Sequence, residues 1–309
     1  MASARHRLEI LGAALLFSTG GAAIKATTLT SWQVASFRSG VAALTVYLVA
    51  RQARRGWSWH VVPVGIAYAA TLTLFVAANK LTTAANTIFL QSTAPLYVLL
   101  LSPLLLRERI RPRDVGFMAV VALGMLLFFV ERPPAAATAP DPRTGDLLAL
   151  LSGVFWAATI MGLRWMGNRG GASDGNTLPT IVAGNAIAFL ACLPMALPAH
   201  AAPVDWAVIA YLGTFQIGVA YLLLGSGIRH VPALEASTLL LLEPALNPFW
   251  AWLVHGERPG IWSIAGGILI LGATIARTAM SSPPSAEYES TEVRQGVMKS
   301  ARVRECENR

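Results

Sequence analysis

Charge and cysteine are what this sequence has least of. Only 13% of its 309 residues are charged and two are cysteines, whereas 55% are apolar. An ordinary soluble domain carries about 25% charged residues, so this chain cannot cover a water-facing surface of the usual kind. Cys192 lies in an apolar run and Cys306 in a polar stretch, which excludes a disulfide framework or a cysteine-based metal site. Catalytic patterns are missing as well: there is no His-Glu-x-x-His, no Gly-x-Ser-x-Gly and no pair of aspartates within an apolar run. The histidines His6, His60, His200, His230 and His255 fall outside or at the edges of the apolar runs. An intramembrane enzyme is therefore disfavoured, and no cofactor or metal is expected. Gly-x-x-x-x-Gly-Lys is absent, which removes support for ATP drive. The net charge of +8 comes without a basic stripe interleaved with aromatics, so no nucleic-acid partner is expected.

What the chain has in abundance is apolar runs. A bilayer core about 30 Å thick needs roughly 20 apolar helical residues, and ten such segments fit, at 8–28, 32–50, 60–79, 84–106, 112–130, 147–166, 177–198, 204–228, 233–255 and 260–279. Arg5 and Arg7 give the first the basic start of a secretory signal, yet it runs on past Lys25 without a cleavage site and reads as helix 1. The expected fold is an all-α integral membrane protein of ten transmembrane helices. Arg5, Arg7, Arg51, Arg54, Arg55, Arg107, Arg109, Arg111, Arg113, Arg164, Arg169, Arg229 and Arg277 share one side, against Lys25, Lys80, Arg132, Arg143 and Arg258 on the other. Basic loops are retained in the cytoplasm, which places both termini there, in a bacterial inner (plasma) membrane. Residues 280–309, polar and opened by Pro283-Pro284, read as a disordered cytoplasmic tail. Residues 132–146, with Pro133, Pro134, Pro140 and Pro142, read as a stiff connector.

That connector separates two similar halves. At an offset of 149, Lys80 falls on Arg229, Ala84 on Ala233, Pro95 on Pro244 and Glu108-Arg109 on Glu257-Arg258. At an offset of 139, Lys25 falls on Arg164. Residues 1–131 and 147–279 then form two five-helix repeats, and an odd number of helices makes the second enter the membrane upside down. Inverted repeats are the architecture of alternating-access transporters with a site near the midplane. A duplicated channel would carry the same signature.

Ala84–Arg109, with mid-helix Pro95 and terminal Arg107-Glu108-Arg109, resembles the fourth helix of the EamA-type drug/metabolite transporters. Leu242-Glu243-Pro244 followed by Gly256-Glu257-Arg258 is similar to that family's ninth helix. The resemblance covers residues 8–279, and overall similarity and length point to YddG-type amino-acid exporters. It implies a ten-helix basket whose cavity is lined mainly by helices 1, 3, 4, 6, 8 and 9. The cavity helices here are basic only at their ends, unlike phosphate-exchanging relatives, so a strongly anionic ligand does not fit.

A charge at the bilayer centre costs about 2.5–3.5 kcal/mol on the insertion scale, which singles out two residues. Glu243 shares a face with Glu235, Leu239 and Asn247; it is either a proton-coupling or ammonium-binding group or, the favoured reading, a packed structural carboxylate. Arg38 in helix 2 is expected in a structural ion pair. Candidate substrate contacts are Thr19, Tyr68, Phe75, Asn79, Thr87, Gln91, Tyr97, Trp156, Tyr221 and Glu243, with Ser18, Thr159 and Gln216 as further polar groups on the same helices. Amides and hydroxyls with rings suit a zwitterion bearing an apolar side chain, although any single Ser or Thr more often bonds its own helix. Pro95 and Pro244 read equally as hinges or as fixed curves. Gly20, Gly21, Gly213, Gly218, Gly266 and Gly267 read as packing positions, and Trp32, Trp57, Trp59, Trp206 and Trp262 as interfacial anchors. The combined expectation is a monomeric secondary transporter in a lipid bilayer, exporting amino acids, aromatic ones included. A passive channel or facilitator and a multidrug or nucleoside exporter are the alternatives.

Overall fold

The computed structural model describes residues 4–105, 112–130, 135–168, 177–227, 230–231 and 233–281. Apart from one isolated bridge between Ala136 and Ala139, regular structure among the described residues is helical. The order is α1 (Ala4–Ser18), α2 (Gly20–Lys25), α3 (Ser31–Val49), α4 (Val61–Leu81), α5 (Ala84–Gln91), α6 (Ala94–Leu105), α7 (Pro112–Leu127), α8 (Pro142–Asn168), α9 (Leu178–Ala196), α10 (Pro203–Tyr211), a π segment (Leu212–Val219), α11 (Ala220–Gly227), α12 (Ala233–Leu240), α13 (Leu242–His255) and α14 (Ile261–Ser281).

Six stretches are long and apolar enough to cross a bilayer: Ala4–Lys25, Val61–Leu81, Ala84–Leu101, Pro142–Met166, Leu178–Ala196 and Pro203–Gly227. Helices α3, α7, α12 with α13, and α14 occupy the other four segments read from hydropathy. Local chemistry fixes several ends. Thr30 and Gln33 cap α3 reciprocally, Gln33 N–H donating to Thr30 Oγ1 at 3.3 Å and Thr30 N–H to Gln33 Oε1 at 3.0 Å. Thr83 caps α5 through the Asn86 amide at 3.2 Å. Gly256, at φ 67°, ends α13 in the left-handed conformation that an L side chain avoids.

Three expected spans are not continuous. The chain breaks between α1 and α2 at Thr19, between α5 and α6 at Ser92-Thr93, and between α12 and α13 at Leu241. Two of these breaks follow from proline. The ring clashes with the carbonyl four residues earlier and supplies no N–H to it, and Gln91 and Leu240, the last residues of α5 and α12, stand four residues before Pro95 and Pro244. The connector is also shorter than expected, because α8 starts at Pro142 rather than near 147. Asp141 accepts from Thr144 N–H at 3.3 Å, and proline suits a helix's first position. Arg107-Glu108-Arg109, Arg229 and the tail beyond Ser281 lie outside the described residues.

Helix α4 packs on α8 and α9, α3 on α9 and the π segment, α1 on α11, α12 and α13, α5 and α6 on α8, and α7 on α14. One core gathers Phe89, Phe117, Val121, Phe128 and Ile270. A second gathers Ile24, Val34, Val76, Cys192 and Leu212. The five tryptophans expected as interfacial anchors are all exposed.

Candidate functional site

Where the broken helices face one another the bundle encloses a cavity of about 400 Å³, within the usual range for a small-molecule site, roughly 300–1,000 Å³. Its wall takes Phe17 from α1, Arg38 from α3, Tyr68, Thr71 and Phe75 from α4, and Gln91 and Pro95 from either side of the first break. Trp156 and Ile160 come from α8, Gln216 from the π segment, Tyr221 from α11, Glu243 and Pro244 from α13, and Thr274 from α14. Each of the six helices expected to line it contributes; α3 and α14 add to them.

Aromatic rings run along the wall. Phe17 meets Tyr221 edge-on with centroids 5.0 Å apart, Tyr221 meets Tyr68 at 5.8 Å, and Tyr68 meets Trp156 at 6.3 Å. Gly184 lets α9 approach this chain of rings, since a Cβ there would lie 2.5 Å from Tyr68 Cδ1. Gln91 donates to Ser152 at 2.7 Å, and Ser152 donates to the Thr71 carbonyl at 3.1 Å. The π segment places Gln216 against α1, and Gly213 beside it lets α3 come close: a Cβ there would lie 2.7 Å from the Arg38 carbonyl.

Of the ten candidate contacts, Tyr68, Phe75, Gln91, Trp156, Tyr221 and Glu243 line this cavity. The other four do not. Thr19 hydrogen-bonds Tyr211 at 2.8 Å and lines a separate lateral cleft. Asn79 is buried, donating to the Phe75 carbonyl at 3.1 Å, with its oxygen toward Gly21. Thr87 bonds back to the Thr83 carbonyl at 3.0 Å, the commonest fate of a helical threonine. Tyr97 lays its ring beside Gly153 of α8. The break at Leu241 also separates Glu235 from Glu243: Glu235 pairs with Arg7 at 2.6 Å, at the end of the bundle where the chain begins.

Arg38 departs from expectation. It is 1% exposed and pairs with no carboxylate among the described residues. One hydrogen bond reaches the Leu72 carbonyl at 3.1 Å, and Nε has no partner. Glu243 likewise makes no hydrogen bond or ion pair among the described residues. The signal for Arg38 was present in the sequence, as a charge within an apolar run; nothing there indicated that it lacked an acid. Phe17, Thr71 and Thr274 are wall residues that no sequence pattern marked.

Outside this wall, at Lys25, the last residue of α2, buried charges tie several segments together. Lys25 and Glu257 form an ion pair at 2.8 Å, each side chain 3% exposed. Lys25 also donates to the carbonyls of Thr82, at 2.7 Å, and Thr138. Glu257 accepts from Ala84 N–H at 2.9 Å. Alongside, Lys80 donates to the Thr27 carbonyl at 2.7 Å, Asp205 accepts from Thr28 N–H and hydroxyl at 2.8 Å, and Asp146 accepts from Thr82 at 2.7 Å. Ring nitrogen Nε2 of His255 lies 2.8 Å from the Ala22 carbonyl. Asp141, just ahead of α8, has its carboxyl held below the usual range by hydrogen bonds from the Thr144 side chain and amide.

Several helices of membrane-crossing length around an amphipathic pocket are the build of a multi-pass membrane transporter. The chain belongs to the EamA-like transporter family, whose profile matches residues 8–130 and again 143–277. It is 27% identical over 273 residues to the pseudopaline exporter CntI of Pseudomonas aeruginosa, covering 85% of this chain and 92% of that one. An uncharacterized transporter of Bacillus subtilis, YyaM, is 23% identical over 68% of this chain and 70% of its own length. A crystal structure 20% identical to this chain superposes with a TM-score of 0.60 over 90% of this chain and 99% of that one, a likeness of fold.

Proposed function

We propose that this protein is a secondary transporter that moves small amphipathic zwitterions, amino acids with apolar or aromatic side chains foremost, out of the cytoplasm by alternating access. The observation that carries the substrate class is the cavity wall: rings and aliphatic side chains around a few polar groups that include Arg38 and Glu243, neither in an ion pair among the described residues. Apolar walls with sparse, placed polar groups are what a small ligand requires. The outward direction rests on the likeness to a protein named as an exporter.

The proposed mechanism takes the chain to cross the membrane ten times, in two inverted halves. The family profile matches twice. Exchanging the halves carries α4 on α8 into α1 on α11, α4 on α9 into α3 on the π segment, α5 on α8 into α1 on α12, and α6 on α8 into α1 on α13, while α3 on α9 and α7 on α14 map onto themselves; all these contacts are present. With the termini in the cytoplasm, as the basic residues direct, the tied end faces outward and the cavity faces inward. A seal at one end favours a carrier over an open pore. The test is counterflow in proteoliposomes preloaded with unlabelled L-phenylalanine. Saturable accumulation of labelled phenylalanine is expected; flux linear in concentration, without trans-stimulation, would assign a passive pore instead.

A further inference from the structure

We infer that Arg38 is the carboxylate anchor of the central cavity and Glu243 its ammonium partner, so that the pair selects ligands carrying both charges at one end of an apolar body. This rests on the transport reading above and narrows it from a substrate class to a recognition geometry.

The argument begins with what Arg38 lacks. A guanidinium offers five donors and is costly to bury without partners. In this fold it is almost fully buried, one hydrogen bond satisfies it, and Nε is orphaned. A structural arginine at such depth takes a carboxylate or a fan of carbonyls. Here the neighbouring elements supply neither. The helix that carries Arg38 meets the π segment through Gly213, whose missing side chain allows backbone contact at the Arg38 carbonyl, so the residue is held in place from its main chain. The side chain's remaining outlet is the cavity it lines. One more buried polar atom of the same wall is also unpartnered, Oε1 of Gln216. An acceptor thus accompanies the guanidinium.

Glu243 supplies the opposite charge in the same wall, at the start of α13, and does not pair with Arg38. Had the two neutralised each other, the cavity would suit a neutral amphiphile. Held apart, they present a plus and a minus to one ligand: a carboxylate takes paired hydrogen bonds from the guanidinium, an ammonium takes the Glu243 carboxylate, and the rings of Trp156, Tyr221 and Phe17 take the apolar remainder. A cationic drug would leave Arg38 buried and unanswered, and a simple carboxylic acid would leave Glu243 so.

Three competitors of labelled L-phenylalanine counterflow separate the charges: L-phenylalanine itself, phenethylamine without the carboxylate, and 3-phenylpropionate without the ammonium. The wild-type protein is expected to prefer phenylalanine over either by tenfold or more. Arg38→Gln should weaken phenylalanine at least tenfold and leave phenethylamine unchanged, erasing the first preference. Glu243→Gln should erase the second, with 3-phenylpropionate now competing as well as phenylalanine. Arg38→Lys keeps the charge and carries the test should the glutamine variant fail to give monodisperse protein; it should weaken phenylalanine several-fold and not phenethylamine, because an ammonium cannot offer the planar fork. Equal losses for all three competitors, or unchanged preferences in folded variants, would overturn the assignment while leaving the transport reading intact. No counterflow of any amino acid by the wild-type protein would overturn both.

Discussion

Trp156 and Gln91 show how differently two wall residues respond to truncation. The Trp156 indole is half-buried and meets its neighbours through the Tyr68 ring at 6.3 Å, so Trp156→Ala removes surface offered to a ligand more than surface that holds helices. Such ring contacts contribute about 0.5–1.5 kcal/mol beyond burial. The expected result is a KM for phenylalanine raised roughly tenfold with an unchanged yield of folded protein, read by counterflow at matched reconstitution. Gln91→Ala removes a cavity amide together with the bond to Ser152, 61 residues away in sequence. It should lower transport and also cost about 1 kcal/mol of stability, measured as a reduced midpoint in thermal unfolding. The sequence marked both residues because a polar or aromatic group on an otherwise aliphatic face stands out. It marked Thr87 and Asn79 for the same reason, and those turned to carbonyls of their own helices. From sequence, a hydroxyl directed into a cavity and one directed onto its own backbone look the same.

At the scale of elements, hydropathy located the helices well and their interruptions poorly. Ser92, Thr93 and Leu241 are residues a helix tolerates, so nothing at the breaks announced them; the cause sits downstream in Pro95 and Pro244. At the first break the chain compensates locally. Ser92 Oγ donates to the Ile88 carbonyl at 2.7 Å and Thr93 Oγ1 to the Leu90 carbonyl at 2.6 Å. This makes the break a held geometry rather than a loose joint, and it exposes Gln91 and Pro95 to the cavity. Pro95→Ala restores an N–H able to reach the Gln91 carbonyl and removes the ring that excluded it. Thermal stability is expected to hold or rise by about 1 kcal/mol while transport falls several-fold, the trade seen where a strained element serves function. A fall in stability accompanied by a proportional fall in transport would mean the proline only packs. A different element is fixed by contact: in α8 a Cβ on Gly145 would lie 2.6 Å from the Thr82 backbone nitrogen, which cannot move aside as a side chain can. Gly145→Val should therefore cost about 2 kcal/mol or more, seen as loss of monodisperse protein.

For the whole molecule, the sequence pointed to two halves because Lys80, Pro95 and Glu108-Arg109 recur at one offset as Arg229, Pro244 and Glu257-Arg258. It gave no means of knowing that Lys25, in the first apolar segment, and Glu257, just after the ninth, would meet, since only the assembled bundle brings them together. Their pair ties the end away from the cavity, and the alternating access proposed above requires that end to part. A buried pair is costly to break by removing one member, about 3–5 kcal/mol, but here the survivors keep other partners, Lys25 the carbonyls of Thr82 and Thr138, Glu257 the Ala84 amide. Glu257→Gln should accordingly weaken the closed end by a smaller amount without unfolding the protein. Leu29, 3% exposed and part of the core beside that end, provides the reporter: Leu29→Cys, with Cys192 and Cys306 replaced by serine, should resist a membrane-impermeant maleimide applied from outside. Adding Glu257→Gln should speed its labelling several-fold, because the equilibrium shifts toward the conformation in which the seal is open. Excess phenylalanine should change the rate further, as a ligand that binds the two conformations unequally must. Labelling that is slow and equal in both backgrounds would mean that the Lys25–Glu257 pair is a fixed strut and that the bundle opens elsewhere.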